Sequence, residues 1–346
     1  LQILPAFQKP ALYVSAEESE SQVGLRARRL EVQSNTLHLS SENRIEGILD
    51  QISLIKPELV VVDSIQTIFS SELDSLPGST SQIRECGQQL LQLTKQLNIA
   101  VIIIGHVTKE GIIAGPKMLE HMVDTVLYLE GDERHDHRIL RSAKNRFGTT
   151  NELGIFQMKT NGLVQVDNPS ELFLAERQND ITGSTIFPSL EGSRPILVEV
   201  QALVSNANFG TPQRNVNGFD FKRLAMLLAV LEKRLGTNMG TKDVFVNLVG
   251  GLKVDDPAAD LAVITAVASA ARDQLLSNSV VLIGEIGLGG EVRSVSRLET
   301  RINEAKSLGF KTVIAPAANV KRISKHVKRI KVSGISSVGE AFQILF

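Results

Sequence analysis

Glu58-Leu-Val-Val-Val-Asp-Ser-Ile-Gln-Thr-Ile68 is the stretch that decides the fold. Residues 59–62 are apolar without a polar face, so their strand is covered on both sides, as in a parallel sheet flanked by helices. The run ends on a carboxylate, Asp63, and a hydroxyl, Ser64. Open α/β sheets bind ligands at the carboxyl ends of their strands. In enzymes that hydrolyse nucleotides, an Asp at such a tip holds Mg²⁺, directly or through water. Taken alone, the residues also describe a buried strand followed by a turn-initiating Asp.

Working outward, strand-like runs at 11–15, 59–62, 100–104 and 125–129 alternate with helical spacing, as at Ile83, Leu90, Leu91 and Leu93. That alternation predicts a mainly parallel sheet covered by helices. Polar residues sit just past the strand ends. The first strand runs into Glu17 and Glu18, the second gives Asp63 and Ser64, and the third gives Gly105, His106, Thr108 and Lys109. In a doubly wound sheet these tips lie side by side. A base that activates water needs a carboxylate near the attacked phosphorus, and Glu17 and Glu18 are the candidates by placement. Each tip residue has a plainer reading as well. The two glutamates suit the positive end of the next helix, and a lone His106 suits a structural hydrogen bond.

Bulk properties bound the function. The 346 residues predict about two domains. With 42% hydrophobic and 22% charged residues the composition is that of a soluble globular protein. The formal net charge is −1, so nucleic-acid binding has to come from local basic patches. The single cysteine, Cys86, excludes a disulfide framework or a zinc cluster within this sequence, and fits a reducing compartment. No apolar run approaches the roughly 18 residues needed to span a bilayer, and no signal peptide is visible. The chain opens at Leu1 in what reads as mid-helix, and it is expected to be a piece of a longer protein.

Further along, Ser142-Ala-Lys-Asn-Arg-Phe-Gly148 places Lys144 and Arg146 around Asn145, before a Phe-Gly turn. Such cations stabilise phosphate charge, or simply form a solvated basic turn. Two loop-like segments could face a polyanion. One is Leu76-Pro-Gly-Ser-Thr-Ser81, which includes Ser79; the other is the Gly-rich stretch from Lys109 to Lys117.

Taken together, Tyr13-Val-Ser-Ala-Glu-Glu-Ser19, Val62-Asp-Ser-Ile-Gln66, Gly105-His-Val-Thr-Lys109, Ala114-Gly-Pro-Lys-Met-Leu-Glu-His121 and Lys144-Asn-Arg-Phe-Gly148 resemble the bacterial RadA (Sms) family of RecA-like ATPases. The Lys-Asn-Arg-Phe-Gly stretch is the most specific part, and the likeness covers nearly the whole chain. The resemblance implies an ATP- and Mg²⁺-dependent motor of recombinational DNA repair that promotes branch migration. It places Asp63 on Mg²⁺, Glu17 or Glu18 on the attacking water, His106 at the γ-phosphate, and Ser64, Lys144, Asn145 and Arg146 in nucleotide binding and coupling. Ser79, Lys109 and Lys117 fall where RecA-like proteins place DNA-binding loops. Also implied are hexameric rings, single- and double-stranded DNA and recombination intermediates as partners, the RecA recombinase as a protein partner, and a cytoplasmic location. The family's Gly-x-x-x-x-Gly-Lys-[Ser/Thr] phosphate loop does not occur in this sequence, nor does its Cys₄ zinc module. Both are expected ahead of Leu1. The loop's strand lies centrally in RecA-like sheets. The chain by itself is therefore expected to have negligible ATPase activity and a poorly stable first half, which turnover at the full-length rate would refute.

Turns at 168–170 and 182–184 predict a boundary near residue 178, dividing a RecA-like core over 1–177 from a second domain over 178–346. In the second half, strands are predicted at 196–204 and 244–249 and helices at 221–235, 258–271, 298–308 and 338–345. A hairpin is predicted from 280–286 to 291–295, and a short strand at 312–315. This half resembles the proteolytic domain of Lon through Asp255-Asp-Pro-Ala-Ala-Asp260, Gly284-Glu-Ile-Gly-Leu288 and Leu308-Gly-Phe-Lys-Thr-Val-Ile-Ala-Pro316. Lon uses a Ser–Lys dyad. Here the serine position falls on Ala258 and the lysine position on Glu299, with Lys306 a poor substitute, so an α+β Lon-like shell without protease chemistry is expected. Residues 321–331 hold six Lys and Arg in eleven positions. Through Lys325, Lys328 and Lys331 this run is expected to contact duplex DNA, with Lys222 and Arg223 as weaker candidates. A solvated edge is the plainer reading. Two other classes compete with the motor. They are a Lon-type protease, opposed by Ala258 and Glu299, and a nucleotide-free DNA-binding scaffold.

Overall fold

The computed structural model describes residues 1–106, 114–131, 136–150, 152–178, 180–207, 211–323 and 330–346. Contacts divide the chain into two compact units. The first comprises Leu1–Glu130, Arg138–Thr150 and Phe156–Gln165; the second comprises Gly131–His137, Asn151–Ile155 and Val166–Phe346.

In the first unit a single-turn 3₁₀ helix (Leu4–Phe7) precedes β1 (Ala11–Ser15), α1 (Glu20–Arg29), β2 (Leu37–Ser40), α2 (Ile45–Ile55), β3 (Leu59–Asp63), α3 (Thr80–Leu97) and β4 (Ala100–Ile104). The strands form a parallel sheet in the order β2-β1-β3-β4. Alternation along each strand builds two cores. Leu12, Val14, Val60 and Val62 face Ile45, Ile48 and Ile52 of α2 and Ile83 and Leu90 of α3. Ala11, Tyr13, Leu59 and Val61 face Leu4 and Val23 on the opposite side. This double burial is why the β3 sequence has no polar face. Edge strand β4 is less covered, with Ile102 39% exposed. Next come α4 (Ala114–Met122) and a four-stranded sheet in the order β5 (Thr125–Glu130), β6 (His137–Asn145), β7 (Leu153–Lys159), β8 (Gly162–Gln165). Its β5/β6 and β7/β8 pairs are antiparallel. Leu127 and Leu129 on β5 are largely exposed.

The second unit holds α5 (Pro169–Leu174), β9 (Ser184–Glu191), β10 (Arg194–Asn206), β11 (Arg214–Asn217), α6 (Phe221–Leu235), β12 (Lys242–Leu248), a 3₁₀ turn (Pro257–Ala259), α7 (Asp260–Arg272), β13 (Val280–Leu282), β14 (Glu285–Ile286), β15 (Val292–Arg293), α8 (Leu298–Ser307), β16 (Thr312–Pro316), α9 (Ala317–Val320), β17 (Lys331–Ile335) and α10 (Val338–Leu345). A seven-stranded mixed sheet runs β11-β12-β10-β9-β13-β16-β17. Small side chains let α7 lie buried from Asp260 to Ser269 against β9 and β10. The structure keeps the hairpin expected around Gly287–Gly290 but shortens its first arm, expected over 280–286. Val280–Leu282 joins the large sheet, whereas Glu285–Ile286 pairs separately with Val292–Arg293. The break falls at Ile283 and Gly284, whose N–H groups donate to the carbonyls of Ile314 and Ala258 at 3.0 and 2.9 Å. No helix among the described residues is long and apolar enough to cross a membrane.

Candidate active site at the sheet tips

Parallel pairing sets Ser15 of β1 beside Asp63 of β3, and Asp63 beside Ile104 of β4. The three strands therefore end level, and the residues just beyond them share one edge. The Ser64 hydroxyl donates to Glu17 Oε1 at 2.6 Å, and His106 Nε2 lies 3.8 Å from the same oxygen. Backbone bonds fix the tips relative to one another: Ala16 N–H to Asp63 O at 3.0 Å, and Ile65 N–H to Ile104 O at 2.9 Å. Gln66 Nε2 donates to the His106 carbonyl at 2.9 Å, tying the turn after β3 to the end of β4. Glu17 and His106 are exposed, while Ser64 is buried beneath them.

Asp63 looks the other way. Its Oδ2 accepts a hydrogen bond from Tyr13, a buried residue of β1. Burial, then the bond to Asp63, hold the Tyr13 phenol far above its usual pKa, so it stays a donor. Glu18 is not part of the Glu17 cluster. It pairs with Arg26 of α1, and its backbone N–H donates to Ser15 Oγ at 3.3 Å. Adjacent residues leaving a strand point to opposite sides. The sequence alone left the two glutamates equivalent; the geometry separates them.

Lys144, Asn145 and Arg146 make local bonds away from these tips. Lys144 Nζ donates to the carbonyls of Glu120 at 2.6 Å, Val123 at 2.8 Å and His121 at 3.3 Å, closing the C-terminal end of α4. The free carbonyls and negative dipole end of a helix attract such a cation. Arg146 pairs with Asp124 at 3.2 Å, and Asn145 Oδ1 accepts from Phe147 N–H at 3.2 Å. Phe147 itself is 85% exposed.

Ser79 caps the N-terminus of α3, accepting from Gln82 N–H at 3.4 Å. Gln82, which no motif in the sequence singles out, organises the loop before it. Its fully buried amide donates to the carbonyls of Ser70, Leu73 and Ser75 and accepts from Ser70 N–H. Lys117 is exposed on α4 and Lys331 is exposed at the start of β17. Lys109, Lys325 and Lys328 lie outside the described residues. Arg223, expected as a weak DNA contact, is instead an internal ion-pair partner. Its Nε donates to the fully buried Asp260 at 2.9 Å, and its guanidinium also meets Glu285 at 3.5 Å.

At the Lon-like dyad positions, Ala258 is buried in the 3₁₀ turn and Glu299 is exposed in the first turn of α8. Beside them Arg301, fully buried, donates to Asp256 at 2.5 Å and to the Pro188 carbonyl at 2.5 Å. Its guanidinium also lies over the Phe187 ring. An ion pair made by a fully buried arginine therefore stands beside the place where a hydrolytic dyad would be.

Similarity to known proteins has the same two-part division. The family described as AAA domain matches residues 4–111, and the family described as Lon protease (S16) C-terminal proteolytic domain matches residues 233–345. Among curated relatives, the DNA repair protein RadA of Bacillus subtilis is 52% identical over 332 residues, covering 96% of this chain and 72% of the relative. The protein of that name from Listeria monocytogenes is 49% identical over 335 residues, covering 97% and 73%. That from Streptococcus pneumoniae is 48% identical over 335 residues, covering 97% and 80%.

Proposed function

The chain belongs to the RadA family of DNA repair proteins, and from that footing we propose that it is a DNA-dependent ATPase motor that drives branch migration of recombination intermediates. The observation that carries this reading is the meeting of Glu17, Ser64 and His106 at one sheet edge, next to Asp63. We assign Glu17, rather than Glu18, to orient and polarise the attacking water. His106, 3.8 Å from Glu17, would register the γ-phosphate and pass its presence to Glu17. Tyr13 holds Asp63 Oδ2, which leaves Oδ1 for a cation or its water.

The donors at this edge fit Mg²⁺, which prefers oxygen ligands and is usually held by one or two carboxylates together with substrate phosphates. Among the described residues no group of three or more His, Cys, Asp or Glu is placed to hold a metal ion by itself. When bound, Mg²⁺ neutralises charge on the β- and γ-phosphates. Asp63 would hold it, directly or through water.

Coupling to DNA is assigned to Lys144, Asn145 and Arg146. Lys144 secures the end of α4, and α4 carries Lys117 on its surface. Phosphate that draws Lys144 from those carbonyls would loosen the helix bearing a DNA contact. Ser79, Lys109 and Lys117 serve DNA on the motor side; Lys325, Lys328 and Lys331 serve it on the Lon-like side. We place the functional division at residue 178 and assign 178–346 to binding without proteolysis, because Ala258 offers no nucleophile and Glu299 no amine. Homo-hexameric assembly, action alongside the RecA recombinase and a cytoplasmic setting complete the reading.

A labelled three-strand DNA junction tests it. The full-length protein should resolve the junction only with ATP and Mg²⁺, and Glu17→Gln should bind the junction without resolving it. Resolution without ATP, or by Glu17→Gln at the native rate, overturns the proposal.

A further inference from the structure

Tyr13 carries a hydroxyl that the packing of β1 does not need. It is only 3% exposed and sits among Leu4, Val23, Leu59 and Val61, where a phenylalanine ring would pack as well. What the hydroxyl adds is the hydrogen bond to Asp63 Oδ2. Strand register explains why that bond forms. Tyr13 lies opposite Val61, two places before Asp63, and positions 59, 61 and 63 alternate onto the face that Tyr13 shares.

The phenol has little choice of partner. The Arg26 guanidinium of α1, which pairs with Glu18, acts on the same phenol by charge and by hydrogen bond. Guanidinium donates and cannot accept, so the phenol's own proton is left for the carboxylate. The two oxygens of Asp63 are thereby made unequal. Oδ2 accepts from a buried donor, and Oδ1 takes no hydrogen bond among the described residues. Arg26 and the Leu1 amino group are cations nearby, and among the described residues neither makes an ion pair with Asp63.

We propose that Tyr13 is a positioning residue that limits Asp63 to one oxygen for a divalent cation and so selects Mg²⁺ over Ca²⁺. The inference rests on the reading of Asp63 as the carboxylate that meets the cation, directly or through water. Mg²⁺ is small, keeps several waters and demands near-ideal octahedral geometry, which a single carboxylate oxygen suits. Ca²⁺ takes about six to eight oxygen ligands and accepts both oxygens of one carboxylate. A carboxylate whose second oxygen is held by a phenol offers the larger ion nothing extra.

The dissociation constant of a fluorescent, non-hydrolysable ATP analogue on the full-length protein, with Mg²⁺ or Ca²⁺ as the sole divalent cation, tests the proposal without turnover. The native protein should bind the analogue more tightly with Mg²⁺. Tyr13→Phe, with native circular dichroism, should shift the Mg²⁺/Ca²⁺ ratio toward Ca²⁺ by about 10-fold, the scale of one hydrogen bond to a charged group. Asp63→Asn separates this inference from the reading beneath it. If neither constant responds to Asp63→Asn, Asp63 does not meet the cation and both are overturned. A response to Asp63→Asn with an unchanged ratio in Tyr13→Phe overturns the role of Tyr13 alone. A crystal structure of the native protein with Mn²⁺ and the analogue gives a readout that needs no variant. The phenol should still be bonded to Oδ2, with Oδ1 toward the cation; both oxygens on the cation, or a broken phenol bond, overturns the proposal.

Discussion

Glu17 and Glu18 are chemically identical neighbours with opposite surroundings, and the difference comes from a side-chain alternation that sequence identity does not carry. One faces Ser64 and His106; the other faces Arg26. Cys86 shows how burial sets a residue's chemistry. Enclosed between α3 and the sheet, its thiol is pushed up from 9.0 to about 12, mainly by burial. Below pH 9 the folded and unfolded chains both keep that proton. As pH rises from about 9 toward about 12 the unfolded chain releases it and the folded chain does not, so stability falls through that window. The buried Tyr13 phenol contributes with the same sign. Urea unfolding at stepped pH should show a midpoint that declines above pH 9, less steeply in Cys86→Ala; an unchanged slope would contradict the burial argument. At Gln82, replacement by Leu would strand the carbonyls of Ser70, Leu73 and Ser75. The expected cost is about 1–3 kcal/mol, with protease cleavage appearing between Ser70 and Ser79.

Elements with a strong hydrophobic period were legible from the sequence, and those defined by partners were not. The strand at 59–62 and the helix at 221–235 announce themselves because one is apolar throughout and the other repeats Leu at 224, 227, 228, 231 and 235. Short strands such as β2 and β17 offer only two apolar residues each over four or five positions, too few to mark them locally, and they hold their place through neighbours. The 280–286 run read as one strand because its apolar residues are continuous; the break at Ile283–Gly284 depends on the carbonyls of Ile314 and Ala258, far away in the chain. The same limit applies to the candidate site. Residue types at the strand tips could be read, but the Tyr13–Asp63 bond and the Lys144 cap on α4 join residues 50 and more than 20 positions apart. That cap yields a test at this scale. Lys144→Met should lower amide hydrogen-exchange protection over the last turn of α4 by about 0.3–1 kcal/mol, before any nucleotide is added. Unchanged protection would return Lys144 to a purely nucleotide-directed role.

At the scale of the whole molecule, two α/β units carry charged groups in contrasting ways. In the second, Asp260–Arg223 and Asp256–Arg301 are internal, and the Lon-like scaffold retains its shape while Ala258 supplies no hydroxyl. Arg301→Met would leave Asp256 without its partner and should destabilise this unit by about 3 kcal/mol in denaturant unfolding. Ala258→Ser should bring no peptidase activity, since the residue at the base position, Glu299, is an acid. In the first unit the acids and His106 open to solvent at the sheet edge, where a nucleotide can reach them. In the proposed function, activation of water by Glu17 is the step on which the motor depends. The most direct measurement is DNA-stimulated ATP turnover by the full-length protein carrying Glu17→Gln or Glu18→Gln, with nucleotide affinity measured in parallel. Glu17→Gln should lose about 10²–10⁴-fold in kcat while binding ATP normally, and Glu18→Gln should keep turnover within a few-fold of native. The reverse pattern, or native turnover by Glu17→Gln, would contradict it.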